Sequence, residues 1–447
     1  MSDSLSQFQD VLGQMTFLKV YTQLCIGFPI AHSTEDVVAA IQKGAAKLTE
    51  TFPWLAGQVI NEGSGPGNSG LFKIIPYAKH QKNPPVIVKR LPNLDYQDII
   101  EKKAPMSMLD GDILAPRKGI PASYGENEEP AEVFSIQANF IKGGLILTFA
   151  GQHNVMDMNG QGHLISLFAK AMRGELFSET EIKEGNRDRR NIISLLKDDE
   201  PLLDHSFMQV DPSNAGPPEL HPATWVYFRF SKASLETLKE EAQSSISNNR
   251  TGSPFSINDI VTAFVWQRIS AARLARFSPD EETKLSRAVN GRSILDPPLS
   301  SSYMGHCVTC TITPLTLHEI TNAKLGDLSV LLRREISDIT SYSIRSIATL
   351  VSRTPDKNTI SYAAKLTFSK DLMLSSWAHQ RTESLDFGPL GQPDFVKRQK
   401  FTPLESLCYL MPRTRDGDID LATCLREDDL AMLANDKKWT EHTEYIG

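Results

Sequence analysis

One histidine in the sequence lies where a general base could be held rigidly and still be reached by a substrate. His153 directly follows the apolar run 145–150, whose length and bounding glycines are typical of a strand buried on both faces. After Gly160 the apolar residues recur at helical spacing. An imidazole on the connection between a strand and a helix is fixed in position and accessible. The segment 153–160 therefore predicts proton transfer at His153.

His153 and Asp157 form a His-x-x-x-Asp pattern, which is weak evidence by itself. The chain contains a second match at His32 and Asp36. There the residues 33–36 are typical of a capping box that begins a helix, so we interpret His32 as structural. For His153 the local context favours chemistry, and the residues alone leave both a chemical and a structural role open.

Size and composition indicate a soluble globular protein. The 447 residues are enough for two or three domains with substantial cores, and 40% are hydrophobic against 23% charged. With a net charge of −7 and no long basic run, nucleic acid is not expected as a partner. The N-terminal residues show no basic region followed by an apolar stretch, and 15–31 is too polar to span a bilayer. We therefore predict a cytoplasmic protein without a membrane partner.

The cysteines predict neither disulfides nor a metal site. They are odd in number and follow no framework spacing: Cys25, Cys307, Cys310, Cys408 and Cys424. Cys307 and Cys310 lie in a β-rich run, where residues three apart point to opposite faces. No second pair completes four ligands, so we interpret both as packed strand residues in a reducing compartment.

Strand-like and helical patterns alternate along the first half without repeats. The predicted strands cover 17–30, 55–60, 71–75 and 133–140, and a predicted helix covers 36–51. The glycine-rich stretch 63–70 lacks a phosphate-loop lysine and a following helix, so it predicts a hairpin connection.

From about residue 174 to 223 the composition shifts to charge and proline, which predicts a linker with short helical pieces around 192–196. In the second half a strand is predicted over 224–230, and helices over 234–241, from the Ser256 capping box onward, and over 328–351. The alternation predicts an α/β or α+β fold in two halves.

Several short motifs recur here in the order in which they occur in the BAHD acyltransferases, which the chain resembles from about 11 to 429. They are the His153 motif, the Ser256 helix, 289–293, 303–306, 375–377 and 386–388. Within the superfamily the chain looks closest to the fungal trichothecene 3-O-acetyltransferases. The similarities to that branch are 151–153, 156–158, Gly160, 386–391 and 405–409.

The chain departs from the plant members of that family at two motifs. Met158 and Asn159 separate the aspartate from the glycine, and Pro389-Leu390 replaces the plant tryptophan-glycine pair. Both differences also look like the fungal branch, so they argue against plant-type acceptors. Condensation domains of peptide synthetases have a second histidine where this chain has Gln152.

The resemblance implies a two-domain, chloramphenicol-acetyltransferase-like α/β fold. Each half would be a mixed β-sheet flanked by helices, with the active-site channel between the halves. We expect an N-terminal half over 1–175, a linker over 176–223 and a C-terminal half over 224–447. The segment around 370–400 is expected to cross over to the first half. The family also suggests a monomer.

The resemblance further implies acyl transfer from acyl-CoA, most simply acetyl-CoA, to a hydroxyl. His153 would deprotonate the hydroxyl, which attacks the thioester directly in a ternary complex. Because a thioester has a good leaving group, no covalent enzyme intermediate and no metal are required. Asp157 is interpreted either as the group that orients His153 or, as favoured by the family, as the partner of Arg292.

Other positions receive roles by the same resemblance. Ser375, next to Trp377, would donate to the negatively charged intermediate, unless it is an ordinary strand hydroxyl. Gly160 would permit a close backbone approach or merely start a helix. Asp386 and Gly388 would lie in a loop that supports the channel.

For coenzyme A the family places the cofactor between the halves. The matching positions here are Ser253, Ser256, Arg292, Ser293, Ser302 and Tyr303. Lys397, Arg398 and Lys400 could attract the phosphates or form a solvated surface run. His306 stands in the place of a family asparagine, which weakens the transfer of roles there.

The leading hypothesis is an acetyl-CoA-dependent O-acetyltransferase of fungal secondary metabolism that acts on a small hydroxylated acceptor. A trichothecene-type sesquiterpenoid is one candidate. The alternatives are another acyl-CoA, an amine or a non-terpenoid acceptor, or a catalytically silent homologue that binds coenzyme A or a metabolite.

Overall fold

The computed structural model describes residues 2–30, 32–82, 84–120, 130–210, 221–247 and 255–447. Two mixed β-sheets, of five and seven strands, carry most of the fold, and a three-stranded sheet accompanies the first. Within the described part of the chain no helix is long and apolar enough to cross a membrane. The same residues contain no group of three His, Cys, Asp or Glu side chains placed to hold a metal ion.

The strands, in chain order, are β1 (Tyr21–Pro29), β2 (Gly57–Glu62), β3 (Leu71–Pro76), β4 (Val86–Asp95), β5 (Ala131–Glu132), β6 (Phe134–Lys142), β7 (Gly144–Gln152), β8 (Ala223–Phe230), β9 (Glu282–Asn290), β10 (Val308–Thr316), β11 (Leu372–Ser376), β12 (Phe395–Lys397), β13 (Leu407–Leu410), β14 (Ile419–Arg426) and β15 (Glu444–Tyr445).

The helices, in chain order, are α1 (Thr34–Thr51), α2 (Ala78–Lys82), α3 (Tyr96–Glu101), α4 (Gly111–Leu114), α5 (Met158–Met172), α6 (Glu179–Gly185), α7 (Lys232–Ser244), α8 (Ile257–Arg273), α9 (Leu317–Asn322), α10 (Leu325–Ser337), α11 (Ser341–Arg353), α12 (Glu427–Ala434) and α13 (Lys437–His442).

The first sheet has the order β12-β1-β7-β6-β4 and holds β7 at its centre. β7 pairs antiparallel with β1 and with β6, and all of its residues are buried. Helices α1 and α5 pack together against this sheet, where Phe149 of β7 meets Phe168 of α5 edge-to-face. The continuous burial explains why β7 reads as an unbroken apolar run instead of an alternating one.

The second sheet has the order β10-β9-β11-β13-β14-β8-β15 and belongs almost entirely to the second half of the chain. Its core includes α8, which begins at Ser256 with the predicted capping box: Ser256 accepts from the Asp259 amide and the Asp259 carboxylate accepts from the Ser256 amide. This reciprocal arrangement satisfies the first free amides of the helix.

A short strand from the second half completes the first sheet. β12 pairs antiparallel with β1, with Lys397 opposite Cys25 and Phe395 opposite Gly27. It lies in the segment for which a crossover is predicted. The side chain of Lys397 reaches Asp420 of β14 in the second sheet at 2.5 Å. β12 therefore connects the two sheets.

Three predicted elements differ from the structure. The strand predicted over 17–30 begins only at Tyr21, because 16–18 form a 3-10 turn. The helix predicted over 328–351 is two helices, α10 and α11, since Thr340 caps the second one. No helix forms at 192–196. There Ile193 and Leu196 pack in an irregular segment, and the Leu196 amide donates to Thr349 of α11.

Candidate active site

His153 is the first residue after β7, and its ring is oriented by the backbone. Its amide donates to the Val20 carbonyl at 2.9 Å, and its Nδ1 lies 3.0 Å from the Met156 carbonyl oxygen. A carbonyl oxygen only accepts, so Nδ1 must carry the proton in this contact. The lone pair of the neutral ring is therefore on Nε2, which is the tautomer that a general base needs.

The surroundings of His153 favour its neutral form. Burial lowers the pKa of His153 below its usual value of 6.5, and the cationic Arg398 lowers it further, against the opposing effects of the Met156 bond and Asp157. The ring of His306 lies 5.2 Å from that of His153. Burial, together with His153, lowers the pKa of His306 to about 3. Both imidazoles are thus unprotonated near neutral pH.

Asp157 turns away from His153 and binds Arg292. The two carboxylate oxygens accept from the Arg292 Nη atoms at 2.8 and 2.9 Å, and also from the amides of Gly160 and Cys307. Burial opposes the charge of Asp157, but Arg292 and the other donors outweigh it and lower the pKa to about 2. The predicted Asp157–Arg292 pair is present in the structure, and it joins the N-cap of α5 to the second half.

Arg292 is fully engaged by protein groups. Besides Asp157, it donates to the carbonyls of Tyr303 and Gly305 and to the side chain of Asn290. These contacts occupy the Nε and both Nη atoms, so the guanidinium has no free N–H for a cofactor. Its predicted contact with coenzyme A gains no support from this geometry.

Gly160 lets the start of α5 approach the backbone of the second half. A Cβ at this position would overlap the Met304 carbonyl oxygen. Of the two interpretations made from the sequence, the close backbone approach is therefore the one present in the structure. The contact brings the loop 303–306 over the N-terminus of α5, next to His153.

Ser375 and Trp377 lie at the end of β11. The Ser375 hydroxyl is half-buried and accepts a hydrogen bond from Nε1 of Trp377 at 3.1 Å. Because that bond uses a lone pair, the hydroxyl proton is still available for donation. This arrangement is compatible with an oxyanion donor.

Asp386, Phe387 and Gly388 form a turn against the end of α5. Asp386 accepts from the Gly388 amide at 2.8 Å, and its carbonyl accepts from Arg173. Gly388 has φ +63°, and a Cβ there would contact the Met172 carbonyl oxygen at 2.9 Å. Phe387 is fully buried against Phe28. The contacts are those of a supporting loop.

The segments predicted to bind coenzyme A border two cavities. One, of about 290 Å³, lies between α5 and the second half and is lined by Arg292, Ser301 and the stretch 379–382. The other, of about 410 Å³, lies beside Ser256; its lining includes Lys232, Lys239 and Arg413 together with Glu236 and apolar side chains.

The individual coenzyme A positions differ in what surrounds them. Ser293 is exposed and Ser302 half-buried, whereas Tyr303 is fully buried with its hydroxyl 3.5 Å from Asp10. The Ser256 hydroxyl is already engaged at the start of α8. Ser253 lies outside the described residues.

The interpretation of Lys397, Arg398 and Lys400 as a solvated run is wrong for the first two. Lys397 is 1% and Arg398 5% exposed, because β12 inserts between the two halves; only Lys400 is at the surface.

Two residues that act on His153 or its surroundings were not predicted to do so: Asp10 was not named, and Arg398 was named only as a phosphate contact or part of a solvated run. Asp10 is buried and accepts from the His306 amide at 2.8 Å, and burial raises its pKa to about 7. Arg398 is buried close enough to lower the pKa of His153. Neither lies in a motif, so the sequence carried no local signal for them.

A neutral histidine whose Nδ1 is held by a backbone carbonyl suits proton abstraction from a hydroxyl, the step that a histidine-base acyltransferase requires. The comparisons with known proteins agree. The model of the trichothecene 3-O-acetyltransferase-like N-terminal domain matches residues 20–172, and that of the transferase family matches 120–441. The chain belongs to this transferase family, the BAHD acyltransferases, and is a coenzyme A-dependent acyltransferase.

Similar proteins cover nearly the whole chain. The O-acyltransferase pigD of Monascus ruber is 41% identical over 98% of both chains. The crystal structure of F. sporotrichioides TRI101 complexed with coenzyme A and T-2 is 37% identical, with a TM-score of 0.90, over 98% of this chain and 99% of that one. Vinorine synthase, 17% identical with a TM-score of 0.65 over 98% and 93%, shares the fold.

Proposed function

We propose that this enzyme transfers the acetyl group of acetyl-CoA to a hydroxyl of a small secondary metabolite, with His153 as the general base. The observation that carries the proposal is the ring of His153, whose Nδ1 is held by the Met156 carbonyl while Nε2 bears the lone pair. A base at this position requires an unprotonated nitrogen directed at the reacting hydroxyl, and the lowered pKa of His153 supplies one.

In the proposed reaction both substrates are bound together. Nε2 of His153 takes the proton of the acceptor hydroxyl as its oxygen attacks the thioester carbonyl carbon. The carbonyl oxygen becomes negatively charged and accepts a hydrogen bond from the Ser375 hydroxyl. Collapse of the intermediate breaks the carbon–sulfur bond, and the proton on His153 passes to the departing thiolate. The products are the acetyl ester and free coenzyme A.

Asp157 acts in this proposal as a positioning residue. Its carboxylate fixes Arg292, the N-terminus of α5 and the Cys307 amide, and thereby the geometry of the segment 153–157. It does not contact the reacting atoms.

The residues around both cavities suit acetyl-CoA. Lys232, Lys239 and Arg413 beside Ser256 offer cations of the kind that bind the phosphates of a nucleotide. The cavity near Ser301 is also lined by Asn159 and His163 of α5, the helix that follows His153, and we propose it for the pantetheine. Coenzyme A supplies the activated acyl group, and these residues would hold it.

For the acceptor we propose a small hydroxylated metabolite, with a trichothecene-type sesquiterpenoid as one candidate. Support comes from the relatives named trichothecene 3-O-acetyltransferase. Other relatives have other names, among them the 41% identical O-acyltransferase pigD and a 28% identical eremophilane O-acetyltransferase, so the proposed acceptor class is wider than one scaffold. We propose a cytoplasmic monomer without a nucleic acid or membrane partner.

The test is a panel of hydroxylated terpenoids, polyketides and amines incubated with acetyl-CoA and with longer acyl-CoAs. Release of free thiol and a product that gains one acetyl group by mass spectrometry are expected with hydroxylated members. Products only with amines or longer acyl donors would replace this proposal by the corresponding transferase. Binding of coenzyme A without any product across the panel would indicate the silent homologue.

A further inference from the structure

Arg398 is a buried arginine that follows β12 and is held by the opposite sheet. It is 5% exposed. Its amide donates to the Tyr227 hydroxyl at 2.6 Å, and that hydroxyl donates back to the Arg398 carbonyl at 2.8 Å. The backbone is thus fixed at the junction of the two halves, and the position of the side chain is defined.

The guanidinium lies among aromatic rings. Its central carbon is 4.1 Å from the ring centre of Phe401, 4.5 Å from that of Tyr409 and 5.6 Å from that of Trp377. Burial raises the pKa of Tyr409, and the charge of Arg398 opposes that rise. Nε has no partner, and within the described ranges no carboxylate lies within 4 Å.

Three other buried arginines have an aspartate, whereas the buried Arg189 donates to the carbonyls of Phe8 and Val155 instead. Arg273, Arg287 and Arg292 lie 3.0, 2.6 and 2.8 Å from the carboxylates of Asp429, Asp259 and Asp157. A buried charge without a counter-ion is unfavourable, and aromatic faces compensate for only part of the lost hydration. Arg398 therefore lacks the carboxylate that Arg273, Arg287 and Arg292 possess.

The guanidinium lies beside the proposed chemistry. It is close enough to lower the pKa of His153. Trp377, one of its aromatic neighbours, donates to the Ser375 hydroxyl. Arg398 is thus separated from the proposed oxyanion donor by one aromatic ring, and its charge acts on the proposed base.

We propose that Arg398, with Trp377, Phe401 and Tyr409, forms an acceptor subsite for an anionic oxygen, a carboxylate or an ionised enol. An acceptor whose anionic oxygen accepts hydrogen bonds from the Arg398 guanidinium would be oriented with its hydroxyl toward Nε2 of His153. The aromatic walls suit a planar, unsaturated group around the anionic oxygen. The inference rests on the proposed function and names the class of acceptor that the site prefers.

The experiment is titration calorimetry of the whole protein with sodium benzoate, a planar carboxylate, and with benzamide, its neutral counterpart. We expect the wild type to bind benzoate at least 10-fold more tightly than benzamide. Arg398→Met keeps the apolar stack and removes the charge, so it should lose that preference. Arg334→Met removes an exposed arginine of α10 and serves as the matched control, with unchanged binding. Unfolding curves establish that both variants are folded.

Equal binding of the two probes by the wild type, or unchanged benzoate binding by Arg398→Met, would overturn the proposal. Loss of coenzyme A binding by Arg398→Met would also overturn the proposal, since that result would place Arg398 at the cofactor phosphates. His153→Ala should bind benzoate like the wild type. Benzoate binding can therefore be measured even if the enzyme shows no acetyl transfer. The proposed function and the Arg398 subsite are thus tested independently.

Discussion

At the scale of single residues, a backbone carbonyl takes the place that a carboxylate holds in a catalytic triad. The Met156 carbonyl fixes the tautomer of His153, so Asp157 is free to bind Arg292. Burial keeps the pKa of His153 low, and the Met156 bond and the more distant charge of Asp157 only partly oppose it. Such a base suits a reaction in which the proton is held only briefly.

Replacing His153 by Ala should reduce turnover by about 10²–10⁴-fold, since the acceptor hydroxyl then lacks its base. The measurement is kcat for thiol release from acetyl-CoA with an active acceptor. His32→Ala removes the exposed histidine of the second His-x-x-x-Asp match and is the control. A folded His153→Ala with turnover near that of this control would contradict the role of base.

The rate should depend on pH through His153. Protonation of Nε2 abolishes its basicity, so kcat/KM should fall on the acid side, with a midpoint below 6.5 because the pKa of His153 is lowered. Arg398→Met removes a cation that lowers this pKa and should move the midpoint to higher pH. Asp10, with its pKa near 7, also lies near His306. Because we assign the fall of kcat/KM at low pH to His153, Asp10→Asn should still show it. If kcat/KM of Asp10→Asn no longer falls at low pH, the titrating group is Asp10.

Asp157→Ala and Arg292→Ala should each destabilise the protein by about 3–5 kcal/mol, because each leaves one buried charge without its partner. The measurement is the free energy of unfolding in denaturant. Asp199→Ala, at an exposed carboxylate, is the control. Wild-type stability with a selective loss of rate would instead support Asp157 as the group that orients His153.

The residues of the site differ in how visible they are in the sequence. His153 and Asp157 are four positions apart, and Arg292 lies in a recognisable motif, so resemblance was sufficient to pair them. Asp10 and Arg398 lie in no motif and reach the site only through the packing of the halves. Their burial, and the charge environment it creates, is a property of tertiary structure.

At the scale of elements, the N-terminus of α5 is the piece that aligns the two halves. Its N-cap, Asp157, binds the second half, and Gly160 contacts the backbone of Met304. His153 lies directly before this contact. A displacement of α5 therefore changes the position of the base relative to the loop 303–306.

Gly160→Ala should destabilise the protein by about 1–3 kcal/mol and lower kcat, since the new methyl group overlaps a backbone oxygen that cannot rotate away. Gly162→Ala is the matched control on the same helix, where the methyl group would meet only the end of the Gln380 side chain. Displacing Gln380 breaks its hydrogen bond to the Met158 carbonyl, but alanine also favours the helix over glycine, so this control should lose less stability than Gly160→Ala. Equal behaviour of the two variants would refute the close backbone approach.

Elements with a strong local pattern were predicted from the sequence. The buried run of β7, the β2–β3 hairpin and the Ser256 capping box are all present. The helix predicted over 192–196 does not form, because the apolar residues of this segment pack against α11 in an irregular conformation. Apolar spacing alone does not distinguish a helix from an irregular segment that packs its apolar side chains against a neighbouring helix.

At the scale of the whole molecule, β12 unites the halves through one buried ion pair. Lys397 extends from the edge of the first sheet to Asp420 in the second, which also binds Arg229 at 2.7 Å. The ring of Tyr227 lies 4.2 Å from the Lys397 nitrogen. A crossover here is suggested by the family, but no feature of the sequence near Lys397 identifies its partner.

Lys397→Met should destabilise the protein by about 3 kcal/mol, at the lower end for a broken buried pair because Asp420 retains Arg229. Denaturant unfolding measures the change. Lys400→Met, three residues later and exposed, should leave the midpoint unchanged. If both variants unfold at the same midpoint, the pair contributes nothing to holding the lobes together.

The late position of β12 in the chain has a consequence for biosynthesis. While the polypeptide leaves the ribosome, β1 has an unpaired edge until almost the entire chain has been translated. Open edges recruit strands from other molecules. A product that stops before residue 397 would therefore be expected to aggregate instead of surviving as an independently folded half.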